Sequence, residues 1–402
     1  MVQLDADPSL LGFSSLSIHA DDSLSNSSDI APPIHVSTTY SQPDPDQPDG
    51  NGLVYSRYST ATRDRVERVL GTLNKGHAVT YSSGLSSGYA ALLHIRPNRI
   101  AIGGGYHGTH GFIEIYKRHR DIVSRCSWLY DQINKAIIDL DAELQKGDLV
   151  WLESPLNPTG EVYDVLAYTE RAHKVGAIVM VDSTFAPPPL TWALDLGADI
   201  VQHSATKYFA GHSDALGGVL VVKSEKEANQ LRSDRNVLGS VLGSLEAWLL
   251  LRSLRQVVYG THLEGSSKLR VTHQSQTTAS LVAWLNQASG GKAHDGIPAN
   301  AIYAVKHASV QKVNWDIQRQ YPGGFGATFS VLLTSKTAAQ RVPFRLKLFH
   351  AATSLGGVES LAEWRYQHDP EIDDRLVRVS VGLEELDDLK QDWRQALSDV
   401  SS

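Results

Sequence analysis

The chain has 402 residues, 37 Lys and Arg against 44 Asp and Glu, and a formal net charge of −7. That length supports a large domain plus a smaller one, and the acidic balance without a basic run argues against nucleic acid as a partner. The single cysteine, Cys126, excludes an internal disulfide framework and fits a reducing compartment. Met1 to Asp22 is acidic and Ser-rich, reading as neither a secretory signal nor a transit peptide. No apolar run approaches the roughly 20 residues that span a bilayer, so a cytoplasmic protein without membrane contact is expected.

Residues 1–60 are rich in Ser, Asp and Pro. The stretch Gln42 to Gly52 is predicted to be an extended arm that needs another surface to lie on, a neighbouring subunit being one candidate. Tyr55-Ser56-Arg57-Tyr58 follows, where an Arg next to an aromatic reads as plain surface or as an anion clamp. A helix is predicted from Thr62 as N-cap to Leu70, with Val66, Val69 and Leu70 on one face. His77–Tyr81 is a short strand, and Ser82-Ser83-Gly84 opens a helix through Leu92. Small residues at such a turn expose backbone N–H groups toward a phosphate.

Arg99–Ile102 is the next strand. Gly103-Gly104-Gly105-Tyr106-His107-Gly108-Thr109 then reads as a glycine-rich loop whose Tyr106 can stack on a flat ligand. Asp148–Glu153 and Gly176–Asp182 are apolar strands flanking a helix at Val165–Val175. Asp182, followed by Ser183-Thr184-Phe185, places an acid at the carboxyl end of a buried strand, where ligands bind in open α/β sheets and where an unpaired charge is costly.

The mostly apolar run Ala198-Asp199-Ile200-Val201, followed by His203-Ser204-Ala205-Thr206-Lys207, reads as a buried strand with Lys207 held at its end in a tight loop, before a second apolar run at Val219–Val222. A partly desolvated lysine loses its charge readily and can form a Schiff base with an aldehyde, and the hydroxyls of Ser204 and Thr206 suit an anion. Alternating strands and helices from His77 to Val222 predict a mainly parallel sheet covered by helices. Helix Ala247–Val257 leads to a mixed second domain. That domain is expected to hold helix Ser280–Gln287, strands Ala327–Leu333 and Leu376–Val381, and a C-terminal helix after Gly382. The expected division is an arm at 1–60, a cofactor domain at 61–257 and a C-terminal domain at 258–402.

A lysine for an imine, an acid on a strand end, a stacking aromatic and a helix N-terminus together describe a pyridoxal 5'-phosphate site. From Ile18-His19-Ala20 to Val381-Gly382-Leu383-Glu384 the chain resembles the Cys/Met-metabolism family of pyridoxal phosphate enzymes. The specific stretches are those around Lys207 and Ser354-Leu355-Gly356-Gly357-Val358-Glu359-Ser360-Leu361. The resemblance implies fold type I, with a seven-stranded type of sheet in the large domain and a smaller α+β C-terminal domain.

It implies that Lys207 carries the Schiff base and later the proton, with Tyr106 stacked on the ring and sharing the catalytic work. Asp182, with Thr184 beside it, pairs with the ring nitrogen. Ser83, Gly84, Leu85, Ser204 and Thr206 hold the phosphate. Tyr55 and Arg57 reach the phosphate of a neighbouring subunit, which implies a homodimer as building block and a homotetramer as assembly. Asn157 contacts the ring or the substrate, and Ser354 and Arg378 hold the substrate carboxylate, with Thr353 lining the pocket beside them. No metal is implied.

Departures from the family pattern cluster around the substrate. Tyr106-His107-Gly108-Thr109-His110-Gly111 lacks the arginine common at its end. Thr353 stands where several γ-acting members carry Glu. The activity expected is γ-replacement on an O-activated homoserine, as in cystathionine γ-synthase. A C–S lyase acting by β- or γ-elimination is the alternative, ahead of an aminotransferase or an inactive interaction subunit.

Overall fold

A computed structural model describes residues 11–25, 29–42, 52–119, 144–255 and 266–401. The first sheet contains β1 (His77–Tyr81), β2 (Ile100–Ile102), β3 (Leu149–Glu153), β4 (Ile178–Asp182), β5 (Ile200–Ser204) and β6 (Gly218–Val222). Its order is β1-β6-β5-β4-β3-β2. Strands β2 to β5 pair in parallel, while β6 runs antiparallel to both β5 and β1. Six strands therefore lie among the described residues, where the resemblance implies seven.

Both sheet faces are buried, and the period of two sorts them. Val150, Leu152, Val179 and Val181 pack with the helices Ala61–Leu73, Val165–Lys174 and Ser244–Arg255. Leu149, Trp151, Met180 and Ile200 face the opposite way, toward the helices Gly84–Ile95, His107–His119 and Glu225–Leu238. The reversal at β6 matters for chemistry. An antiparallel return needs no crossover helix, so the loop from Ala205 to Gly217 stays at the carboxyl end of the parallel strands, and this loop carries Lys207.

The second sheet contains β7 (Ile302–Lys306), β8 (Thr328–Leu333), β9 (His350–Ala351), β10 (Leu361–Trp364) and β11 (Leu376–Ser380), in the order β7-β8-β11-β10-β9. The helices Ser266–Asn286 and Leu386–Ser401 pack on it, placing Leu281, Leu285, Trp393 and Leu397 in its core. That core also takes Phe185, Leu190 and Tyr208 from loops of the first sheet. The Tyr208 hydroxyl accepts from Ala327 N at 3.1 Å and pairs with Thr328 Oγ1 at 3.2 Å. Lys207 is thus anchored, through its neighbour, to β8.

Several sequence expectations need correction. The helix predicted from Thr62 begins at Ala61, and its N-cap is Thr60, whose side chain accepts from Arg63 N. Thr62 instead donates to Pro33 O and bonds the His35 ring. The glycine stretch expected to be a loop through Thr109 becomes helix His107–His119 from its middle onward. Phe112, Ile113 and Tyr116 are buried on one side, and that packing outweighs the low helix propensity of Gly108 and Gly111. The helix expected at Ser280–Gln287 is the last third of helix Ser266–Asn286.

Part of the N-terminal segment lies on its own chain. Buried Asp21 is bound by Arg65 Nε at 2.5 Å and by Arg255, and Trp248 Nε1 donates to Pro32 O at 2.8 Å. Cys126, most of the predicted arm (43–51) and the division between 257 and 258 lie outside the described residues.

Candidate active site

The carboxyl ends of β3, β4 and β5 bring the chemistry together. Glu153 and Asp182 are partners in register, as are Asp182 and Gln202, so the three strand ends form one row. Lys207 follows three residues after β5. Its Nζ donates to Ser354 Oγ at 2.9 Å. Burial, helped by the Arg378 guanidinium and opposed by Glu363, pushes this amine down to about 8.

Asp182 is buried, and Thr184 donates to its Oδ1 twice, from N at 3.0 Å and from Oγ1 at 2.5 Å. Thr184 Oγ1 in turn accepts from Ser204 N at 2.8 Å, which ties β4 to β5. Burial pushes the carboxyls of both Asp182 and Glu153 up, and the charge of Asp182 adds to the rise at Glu153. A cation against Asp182 would relieve this.

Glu153 emerges as a clamp that sequence reading noted only as a strand end. Its Oε2 accepts from Tyr106 N at 2.8 Å and its Oε1 from Asn157 N at 2.7 Å, so one carboxyl positions two loops. The approach requires glycine at 105: φ is +139°, and a Cβ there would meet Glu153 Oε2 at 2.6 Å.

Helix Gly84–Ile95 starts with a capping box between Ser83 and Ser86, which leaves its first N–H groups directed at the cavity beside Ser204 and Thr206. Arg378, on β11, pairs through Nη2 with Glu363 Oε2 at 2.5 Å. It also donates to Asn157 Oδ1 at 3.3 Å and to Ser354 O at 3.1 Å. Burial pushes this guanidinium down to about 10, with Glu363 holding it up.

These groups share one cavity of about 670 Å³. Ser83, Gly84, Leu85, Tyr106, Asn157, Asp182, Thr184, Ser204, Thr206, Lys207, Thr353, Ser354 and Arg378 all line it. Tyr55 and Arg57 do not. Arg57 donates to Asn236 O at 2.9 Å, with its guanidinium carbon 5.6 Å from the centre of the Tyr55 ring and 5.2 Å from that of Tyr58. Sequence reading missed Arg365 and Glu363, which sit two residues apart around the end of β10 with no periodic or glycine signal to mark them. It noted His107 only as a departure, and its Nδ1 accepts from Arg365 Nη2 at 2.7 Å.

The residues present fit pyridoxal phosphate. Lys207 offers a near-neutral amine for the aldehyde. Asp182 is a buried carboxyl in want of a cation, which a protonated ring nitrogen supplies. The N-terminus of helix Gly84–Ile95 with Ser204 and Thr206 suits the phosphate, and half-exposed Tyr106 offers an aromatic face. With the mainly parallel sheet and the small second domain, they define a pyridoxal-phosphate-dependent enzyme of fold type I. A family model described as Cys/Met metabolism PLP-dependent enzyme matches residues 14–398, and the chain belongs to that family.

Among the relatives, cystathionine γ-lyase of Saccharomyces cerevisiae is 31% identical, with 97% of this chain and 98% of the relative covered. Cystathionine γ-synthase of Mycobacterium bovis is 32% identical, with 91% of each covered. A solved structure of a methionine γ-lyase from Micromonospora echinospora superposes with a TM-score of 0.82 at 32% identity, covering 97% of this chain and all of the other. Three different activities thus lie at nearly equal distance.

Two expected results follow from this geometry. The rate at which added cofactor develops its visible band in the apoprotein should rise about tenfold per pH unit and level off near 8, because only the uncharged Lys207 amine attacks the aldehyde. A rate still climbing through pH 10 contradicts a lowered Lys207. Ser354 holds φ at +95°, a region that penalises any Cβ. Ser354→Gly and Ser354→Ala both remove the hydroxyl bonded to Lys207, yet the glycine variant should be more stable by about 1 kcal/mol in chemical denaturation. Equal stabilities would remove the claim of strain.

Proposed function

We propose that the protein catalyses γ-replacement on a homoserine activated at Oγ, in the manner of a cystathionine γ-synthase. The observation that carries this reading is the link through Ser354. Its Oγ accepts from Lys207 Nζ, while its carbonyl accepts from Arg378. One residue therefore spaces the proton carrier from the carboxylate anchor, and an amino acid held by Arg378 presents its Cα to Lys207.

Pyridoxal phosphate supplies the electron sink when bound. The chain's own residues supply the rest. Arg378 grips the α-carboxylate with a guanidinium fork. Lys207 removes the proton at Cα, hands it on, then removes one at Cβ, and both carbons regain a proton once the new bond has formed; Ser354 aims the amine. Tyr106 and Asn157 are held in place by Glu153. The Cγ–O bond breaks, a Cγ–S bond forms to an incoming thiol, and the thiol proton leaves with the departing acid. A distal wall bearing His107, Arg365 and His368 suits an oxygen-rich activating group better than a methyl thioether.

Elimination by a β- or γ-lyase is the second reading, favoured by the lyases among the relatives. Product analysis with homoserine esters plus a thiol, and with cystathionine, cysteine and methionine alone, separates the two. Thioether formed only when ester and thiol are both present supports replacement, and ammonia with a 2-oxo acid from cystathionine overturns it.

We also take the working unit to be a homodimer, paired into a homotetramer. Tyr55 and Arg57 lie outside the cavity of their own chain, as residues serving a neighbour's phosphate would. A cytoplasmic location fits the single cysteine.

A further inference from the structure

Arg270, on helix Ser266–Asn286, is a buried arginine that does not line the cavity. It is 5% exposed, and among the described residues it makes no ion pair. Burial pushes its guanidinium down to about 10. A buried cation without a carboxylate is costly, so its hydrogen bonds must offset that cost. They go to two carbonyls. Its Nη2 donates to Tyr208 O at 2.6 Å and its Nη1 to Gly356 O at 3.4 Å. Tyr208 follows Lys207, and Gly356 lies two residues after Ser354. One side chain thus bridges the loop of the reactive lysine and the loop of the serine that aims it.

The neighbours are shaped to this bridge. Gln274, one turn further along the same helix, donates to Gly357 O at 2.6 Å and to Val381 O at 3.0 Å, so two side chains take consecutive carbonyls of one loop. Gly211 has φ at +66°, and a Cβ there would run into the Arg270 guanidinium. Gly356 has φ at +76°, and a Cβ there would meet Tyr208 N at 2.9 Å. The two loops therefore touch twice, backbone against backbone here and through the bond from Lys207 Nζ to Ser354 Oγ in the cavity.

We propose that Arg270 is a positioning residue for proton transfer: it ties the Lys207 loop to the Ser354 loop and so sets the reach from the Lys207 amine to the substrate Cα. This rests on the reading of Lys207 as the proton carrier. It holds for any amino acid whose α-proton is removed, whatever follows at Cγ.

Exchange of the α-proton of L-norleucine in D2O, followed by proton NMR with the holoenzyme, tests this without γ-chemistry. Arg270→Lys keeps the charge and loses the fork. It should slow exchange at saturating norleucine by about tenfold or more, the scale set by a small misplacement of a reacting group. The norleucine concentration for half-saturation should change less than about threefold, since Arg378 is untouched. In a Ser354→Ala background the same substitution should cost less than about threefold further, because the bond it aligns is already gone. The pH at which cofactor capture by the apoprotein levels off should stay near 8, since Arg270 is not among the groups that shift the Lys207 amine. Arg270→Gln goes through the same measurements and decides the matter if the lysine variant fails to fold.

Losses that multiply in the double variant overturn the assignment, as does exchange within about threefold of the wild type. So does a levelling pH that climbs toward the ordinary lysine range together with the exchange defect, since Arg270 would then only keep Lys207 buried. A wild type that exchanges no α-proton removes Lys207 as proton carrier and this role with it. Turnover of homoserine esters with a thiol is measured separately. If none reacts while exchange and its coupling to Ser354 persist, γ-replacement fails and the role of Arg270 stands.

Discussion

Replacing Lys207 by alanine should lower kcat/KM by more than about 10⁴-fold, because covalent capture of the cofactor and proton transfer at the substrate are lost together. The visible band that cofactor develops in the wild type should not form. The fold should survive. In the cofactor-free protein Lys207 is an amine whose charge burial disfavours, and its neighbour Tyr208, not Lys207 itself, makes the bonds to Ala327 and Thr328. Because its folded-state value is depressed, this amine destabilises the apoprotein at neutral pH. That penalty fades as pH rises from about 8 toward the ordinary lysine range. The alanine variant should therefore show a flatter stability profile there. Near-normal turnover without an added amine would remove Lys207 from the centre of the mechanism.

Arg378→Ala should cost about 10²- to 10³-fold in kcat/KM, mostly through KM, the scale of two charge-assisted hydrogen bonds to the substrate carboxylate. Asn157 Oδ1 and Ser354 O lose their donor as well. Glu363 keeps Arg365, so its carboxylate is not stranded and the variant should fold. Lys207 should then titrate higher, since the guanidinium is one of the causes that lower it. Arg378→Lys should recover part of the loss. A fall of less than about tenfold would mean that the α-carboxylate binds elsewhere, Arg365 being the other guanidinium that lines the cavity.

Much of the cofactor cradle was legible because its parts are local. Ser83-Gly84 stands at a strand-to-helix turn, Asp182 ends an apolar run, and Lys207 follows one, so propensity and period already put each at the carboxyl edge of a sheet. The strand ends were off by up to three residues, the largest shift being at the strand that ends in Ser204. The cap at Thr60 was mistaken for Thr62 because either threonine opens the same apolar stripe, and only the chain packing at Pro33 and His35 separates them.

By itself, then, the sequence determined the class of enzyme and marked the residues that meet at the carboxyl edge of the sheet, since those depend on short runs with a definite period. The cluster of His107, Arg365 and Glu363 was decided by tertiary structure alone. Arg365 and His107 are 258 positions apart and meet where the turn after β10 reaches the start of helix His107–His119. The pairing of Glu363 with Arg378 likewise requires β10 and β11 to lie side by side in register. Such contacts depend on distances that no local pattern encodes, so this cluster forms only once the two sheets have closed over the site.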